Sequence, residues 1–372
     1  MPLPLLVLDG EVYSELSLAR ANRELALALL RRDDVELALS APLIGSYLSR
    51  PTPAIDRLVS RTGIALDRPP DLTVRHRWPP DFTRPEYGRY AHIQPFELGA
   101  LPRAWAEGVA AADEVWCYGS FVRDIYRRAG VAPERLVTVP LGVDPDVYRP
   151  DGTRVELNTR GSFRFLFVGG AIWRKGADLA VNAFLNAFGP GDDVCLIVKD
   201  VGAASVYKGQ TMAPLIVPLV GRTDLAEIVY SDAVLDDAAL AALYRTADAV
   251  LLPYRGEGFG LTALEAMACG TPPIVTAGGA TDDFVDESVG VLLPAKRTPV
   301  DLPEMPETVE PPWTLDVDVT LLAKVMRLVV GERERLAELG AAGARRARSE
   351  WTWDRSAAIA ADRVRLAATT LR

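Results

Sequence analysis

Apolar and polar positions recur along this chain with two periods, and the switches between them mark out its elements. Leu3 to Asp9 is a short apolar run that reads as a buried strand; helical spacing follows from about Ser17 to Leu30, and Val35 to Leu39 reads as the next strand. Arg50 to Tyr90, rich in Pro and Arg, has little periodicity and reads as irregular loops or short strands broken by prolines. Order returns with a helix over Ala104 to Ala112, a strand over Glu114 to Tyr118, a helix over Ser120 to Ala129 capped by Ser120, and a strand over Leu136 to Val139. Asp144 to Gly161 carries Pro145, Pro150 and Gly152 and reads as an interdomain linker. A second series follows: strand Phe163 to Val168, helix Gly176 to Phe188, strand Val194 to Lys199, helix Asp237 to Thr246, strand Ala249 to Leu252, helix Leu261 to Cys269, strand Pro273 to Thr276. Arg297 to Trp313, rich in Pro and acid, reads as a surface insertion; a helix from Val319 and further helices through Arg372 come after it.

Two β-α-β series predict an α/β protein of two Rossmann-like, doubly wound domains facing each other across a cleft. The expected division is 1–155, 156–350 and a segment 351–372, whose helix from Ser356 to Leu371 either crosses back onto the first domain or packs on the second alone. A length of 372 residues is enough for two full cores, and 49% apolar with 24% charged residues is a globular composition. The net charge of −9, with bases dispersed among acids, disfavours a nucleic-acid partner. The opening Met-Pro-Leu-Pro lacks a basic leader and no apolar run is long enough to span a bilayer, so a cytoplasmic location is expected. Cys117, Cys195 and Cys269 have no CxxC spacing and read as buried small hydrophobes; with only His76 and His92 besides, no metal site is expected.

The chemistry concentrates in Tyr254 to Gly270. Gly256, Gly258 and Gly260 follow a strand and run into a helix, at the edge of the sheet where doubly wound folds bind ligands. Glycines there permit close backbone approach, and the amides opening the helix, near Phe259, Gly260 and Leu261, suit an anion. Glu257 before the helix and Glu265 within it can address different parts of one extended, hydroxyl-bearing ligand. The plainer reading makes both acids solvated and the glycines mere turn residues; taken alone, the segment does not decide between the two.

The wider pattern does. Glu, seven residues and Glu enclosing Gly-Phe-Gly, followed by Leu-Glu-Ala-Met-Ala-Cys-Gly-Thr-Pro, closely resembles the donor-site signature of retaining glycosyltransferases of family 4, which have the two-domain GT-B fold. The resemblance extends to Phe165 through Gly170 with Arg174-Lys175-Gly176, to Ala242 through Ala249, to Val139 through Asp144 and to Trp353-Asp354, covering most of the chain from about Asp113. It implies that Glu265 binds the ribose hydroxyls of a nucleotide-sugar, that Glu257 contacts the donor sugar, that Lys175 pairs with the diphosphate, and that amides around Gly258, Phe259, Gly260 and Leu261 hold sugar and phosphate oxygens. The co-substrate would be a UDP- or GDP-sugar, with no cofactor required. Many members carry an arginine where this chain has Gly170, so either Arg174 or Lys199 is expected to supply the second cation.

In the first half, Ala91 through Gly99 resembles the segment that brings a polar residue to the donor sugar, leaving His92 and Glu97 as the candidates. Asp9 and Gly10 end the first strand on the acceptor side, without the family's usual double glycine. Arg50, Arg57, Arg61, Arg68, Arg75, Arg77, Arg84 and Arg89, interleaved with Trp78 and Tyr87, would suit a phosphate-bearing acceptor such as a lipid-linked sugar at a membrane surface, or are a solvated loop. The implied reaction moves a sugar to a hydroxyl of a carbohydrate or lipid-linked carbohydrate with retention, in cell-envelope or exopolysaccharide assembly. A nucleotide-sugar epimerase or hydrolase of similar fold and a non-catalytic sugar-nucleotide-binding subunit are the other readings, and the oligomeric state is left open.

Overall fold

Runs of apolar residues without polar alternation are what a parallel sheet covered on both faces requires, and both halves of the chain contain them. A computed structural model describes residues 2–49, 51–302 and 305–370; of the positions singled out above, Arg50, Leu371 and Arg372 lie outside these. In the first half, β1 (Leu5–Asp9), β2 (Glu36–Ser40), β3 (Leu72–Arg75), β4 (Arg89–Ile93), β5 (Glu114–Cys117) and β6 (Leu136–Thr138) form one parallel six-stranded sheet of order β2-β1-β3-β4-β5-β6. Helices α1 (Ser17–Leu29), α2 (Pro53–Val59), α3 (Arg103–Gly108) and α4 (Ser120–Arg128) connect them. In the second half β7 (Phe163–Gly169), β8 (Val194–Asp200), β9 (Glu227–Ser231), β10 (Ala249–Leu252), β11 (Pro273–Thr276) and β12 (Val291–Leu293) form a second sheet of order β12-β11-β10-β7-β8-β9. Its connecting helices are α5 (Ala177–Ala187), α6 (Ala213–Ile216), α7 (Asp237–Thr246) and α8 (Leu261–Ala268). The order reverses between β7 and β10, and the crevice beyond their carboxyl ends is where such a sheet places its ligand.

The chain then forms an antiparallel hairpin, β13 (Ala295–Pro299) and β14 (Trp313–Val317), and closes with α9 (Val319–Val330), α10 (Arg333–Glu350) and α11 (Trp353–Thr370). Helix α11 packs on α1, β1 and β3 of the first half, and Arg363 meets Glu114 there at 2.6 Å. One apolar cluster runs unbroken from Leu8 through Tyr118 and Phe259 to Met267, so the two halves share a core.

Three local expectations change. The segment 51–90 is more ordered than its composition suggests, because it holds α2, β3 and the start of β4. Ser120 does not cap α4: Gly119 holds the cap position, and the Ser120 amide instead donates to Asp283 of the second half at 2.6 Å. The stretch 297–313 is less a surface insertion than an arm reaching the first half, where Arg103 N donates to Glu307 O at 2.8 Å and Val309 N to Leu101 O at 3.0 Å. Strand β9 was not anticipated; its burial is only partial, so its apolar signal is weak.

Candidate active site

The turn after β7 and the loop after β10 meet at the crevice. Gly176 takes a left-handed φ of +74°, and a β-carbon there would stand 2.1 Å from Pro253 O, so only glycine lets the turn Trp173–Lys175 lie against the β10 loop. This contact puts Lys175 Nζ 3.1 Å from Glu257 Oε2. Burial opposes the charge on both groups, yet each holds the other ionised. The Glu257 carboxyl lies below its ordinary value because Lys175 and Arg174 outweigh burial, and the Lys175 ammonium lies above its own because Glu257 does the same.

Arg174 Nη1 donates to Gly256 O at 2.9 Å, and its Nη2 stands 3.4 Å from Glu97 Oε1, which comes from the loop after β4. Of the two proposed second cations, Arg174 is therefore the one beside Lys175. Lys199 is 4% exposed, its Nζ donates to Asp200 O at 2.7 Å, and burial pulls its pKa down. Gly170 is filled by a neighbour: a β-carbon there would meet the Tyr207 ring at 2.4 Å, and Tyr207 also interacts with the Arg174 guanidinium.

The glycines of the β10 loop make room for the facing half of the protein. A β-carbon on Gly256 would stand 2.4 Å from Glu97 O, and one on Gly258 3.3 Å from the Pro95 side chain. Gly260, at φ +92°, turns the chain into α8, whose opening amides at Leu261 and Thr262 precede the first bonds to the Gly260 carbonyl, from Ala263 and Leu264. The Phe259 side chain is buried edge-on to Tyr118 and stacks near Phe284, so only its backbone can serve a ligand. Val168, Lys175, Leu252, Tyr254, Glu257, Gly260, Thr262 and Thr281 line a cavity of about 10 Å³, the room of roughly one water.

Glu265 is 1% exposed and already engaged. Tyr244 donates to its Oε2 at 2.9 Å, and Arg20 of α1 stands 2.7 Å from its Oε1. Arg20 also donates to Tyr148 at 2.7 Å and pairs with Asp237 at 3.1 Å. Burial outweighs Arg20 and raises the Glu265 pKa. Sequence reasoning missed Arg20, one of several arginines on an amphipathic helix with nothing in its local pattern to mark it.

The first-half candidates separate. Glu97 reaches the site, whereas His92 is fully buried in β4, with Nδ1 2.7 Å from the Tyr90 hydroxyl, its ring against Phe82, and burial pushing its pKa down to about 4. It is a core residue. Each carboxylate oxygen of Asp9 already pairs with an arginine, Oδ2 with Arg75 at 2.6 Å and Oδ1 with Arg77. Gly10 is a packing glycine, since a β-carbon would stand 2.1 Å from His76 O. Most of the arginine-rich stretch is likewise paired internally: Arg68 with Asp71 and Glu36, Arg84 with Asp113, Arg57 with Leu30 O. Among the described residues no group of three or more His, Cys, Asp or Glu is placed to hold a metal, the three cysteines are buried and free, and no helix is long and apolar enough to cross a membrane.

Residues 106–360 match the model of a family described as Family 4 Glycosyltransferase in conflict systems. The chain is 34% identical over 215 residues to a D-inositol 3-phosphate glycosyltransferase 1 of Catenulispora acidiphila, covering 54% of this chain and 51% of that protein. It is 28% identical over 298 residues to an MMP alpha-(1->4)-mannosyltransferase of Mycolicibacterium hassiacum, covering 79% and 61%. The chain thus spans about half to three fifths of the length of these relatives. Among solved structures it resembles HepE of Anabaena in complex with UDP and glucose, with a TM-score of 0.63 at 13% identity over 98% of this chain and 100% of that one.

Proposed function

The chain belongs to the family 4 glycosyltransferases of conflict systems, and on that premise we propose that it transfers a hexose from a nucleotide-sugar to a hydroxyl acceptor with retention of configuration. The observation that carries the reading is the half-buried Lys175 and Glu257 pair, flanked by Arg174, at the carboxyl ends of β7 and β10. Breaking a glycosidic bond to a diphosphate leaves negative charge on the phosphate oxygens, and two fixed cations in a water-poor site stabilise it more than solvent would. Lys175 and Arg174 fill that role, with the first amides of α8 beside them. Glu257 accepts from the sugar hydroxyls, and Glu97 faces the same sugar from the first half. Glu265 takes the ribose diol, for which Arg20 must give up Oε1.

A donor of this size lies in the crevice between the halves, and closure of the halves over it would exclude the water that hydrolyses it. A hydrolase or epimerase needs an acid/base group near neutrality. Here both histidines are buried, with pKa values pushed down to about 3 and about 4, so neither supplies one. The donor is a UDP- or GDP-sugar, in keeping with the UDP-bound neighbour. The acceptor is a carbohydrate or lipid-linked carbohydrate met in the cytoplasm or at the periphery of its membrane.

The test is a thermal-shift screen against UDP, GDP, ADP, TDP and their sugars, repeated with Glu265→Ala and Lys175→Ala. One nucleotide should raise Tm in the wild type and in neither variant. A folded sample that responds to none of them would overturn the donor assignment.

A further inference from the structure

Gly99 follows Glu97 by two residues, and a β-carbon on it would stand 2.0 Å from the Trp313 indole. Only a glycine lets that ring close over the loop. Trp313 opens β14, and its carbonyl accepts from Gly99 N at 2.9 Å; Leu315 N, farther along the same strand, donates to Arg255 O at 2.9 Å. Alternate residues of a strand direct their backbone groups to the same edge, so β13 occupies one edge of β14 and these two bonds use the other. That edge therefore binds one loop from each half, the loop of Glu97 and the loop of Glu257.

Arg255 extends the chain of contacts. The amides of Arg255 and Gly256 donate to Arg174 O at 2.8 and 3.2 Å, and the Arg255 guanidinium grips Asp178 at 2.7 and 2.8 Å. The indole of Trp313 is itself held, with Arg297 4.3 Å and Arg128 5.8 Å from its centre and Phe121 edge-on at 6.1 Å. Arg128 Nη2 donates to Gly99 O at 2.8 Å, fixing the next peptide of the same loop.

We infer that β14 is a strap that sets the spacing between Glu97 and the Lys175 and Glu257 pair, with Trp313 as its positioning residue. Two backbone bonds to one rigid strand hold the loops in register, where side-chain contacts alone would let them drift. The kinetic consequence rests on the transferase reading proposed above; the mechanical one does not. Misplacing a reacting group by about 1 Å costs on the order of 100-fold in rate, so the strap acts on turnover more than on donor binding.

The experiment combines amide hydrogen exchange with nucleoside diphosphate release from UDP-glucose and GDP-mannose in the presence of a carbohydrate acceptor. Trp313→Ala should raise exchange at least about tenfold in both 96–99 and 255–258, and lower kcat about 100-fold while the donor KM moves less than about threefold. Trp313→Phe, which keeps a ring on Gly99, should restore most of both. Glu307→Ala removes an exposed ion pair of the same arm, 2.7 Å from Arg103, and should change neither. If Trp313→Ala fails to fold, Gly99→Ala drives the ring off from the opposite side and is read by the same measurements. Exchange that rises in only one loop, or only within 295–317, overturns the strap, as does a rise in KM at unchanged kcat. If the wild type releases diphosphate from neither donor, those two sugars are not its donors, and exchange alone decides the strap.

Discussion

Lys175 and Glu257 each keep their charge by virtue of the other. Glu257 stays ionised because Lys175 and Arg174 outweigh burial; Lys175→Met should therefore raise the Glu257 pKa and abolish nucleotide binding together, which carboxyl NMR and calorimetry can follow. The histidines lie outside this economy of charges. His76, between Asn22 at 2.7 Å and the Tyr118 hydroxyl at 3.0 Å, and His92, whose Nε2 has no partner among the described residues, are both held neutral by burial, with pKa values of about 3 and about 4. A depressed histidine contributes stability that is complete above its unfolded value near 6.5 and is lost as pH falls through the window down to the folded value. Each should remove about 1.4 kcal/mol per pH unit below roughly pH 6. Thermal melts between pH 7 and 5 should show Tm falling, and His92→Phe should flatten that slope by about half.

Among the elements, the short turn Trp173–Lys175 carries the most chemistry on the least backbone. Its position depends on Gly176, where an alanine would add left-handed strain of about 1–2 kcal/mol to a clash with Pro253 O. Gly176→Ala should lower Tm by several degrees and weaken nucleotide binding at least tenfold, since the turn can relieve the clash only by moving Lys175 away from Glu257. Helix α4 shows an element completed from outside its own segment. The Asp283 carboxylate accepts from the first amide of α4, a charge at a helix N-terminus worth about 1 kcal/mol. Asp283→Ala should cost about that much by denaturant unfolding, and the salt dependence of stability should fall with the charge removed.

Across the whole molecule, Arg20 joins the halves at the carboxylate proposed to hold the ribose. Removing one member of a buried pair leaves an uncompensated charge, so Arg20→Met should destabilise by about 3 kcal/mol. Removing both charges with Arg20→Met and Glu265→Gln should recover most of that loss, and a double-mutant cycle by urea unfolding measures the coupling.

Fold class and donor-side motifs were legible in the sequence because they are local. Strand β10, helix α7 and strand β11 appear at the expected residues since a buried parallel strand needs an unbroken apolar run and a covered helix needs its own period. Lys175, Glu257 and the glycines could be singled out because a strand-to-helix turn that approaches an anion restricts the residue types it accepts. What the tertiary structure alone decided are contacts between segments far apart in sequence. They include which cation stands beside Lys175, that Glu97 reaches the site while His92 is core, that Asp9 pairs with Arg75 and Arg77, and that Arg20 and Trp313 bind the halves together. A side chain's role there depends on what packing brings within a few ångströms, and no period or spacing along the chain encodes that distance.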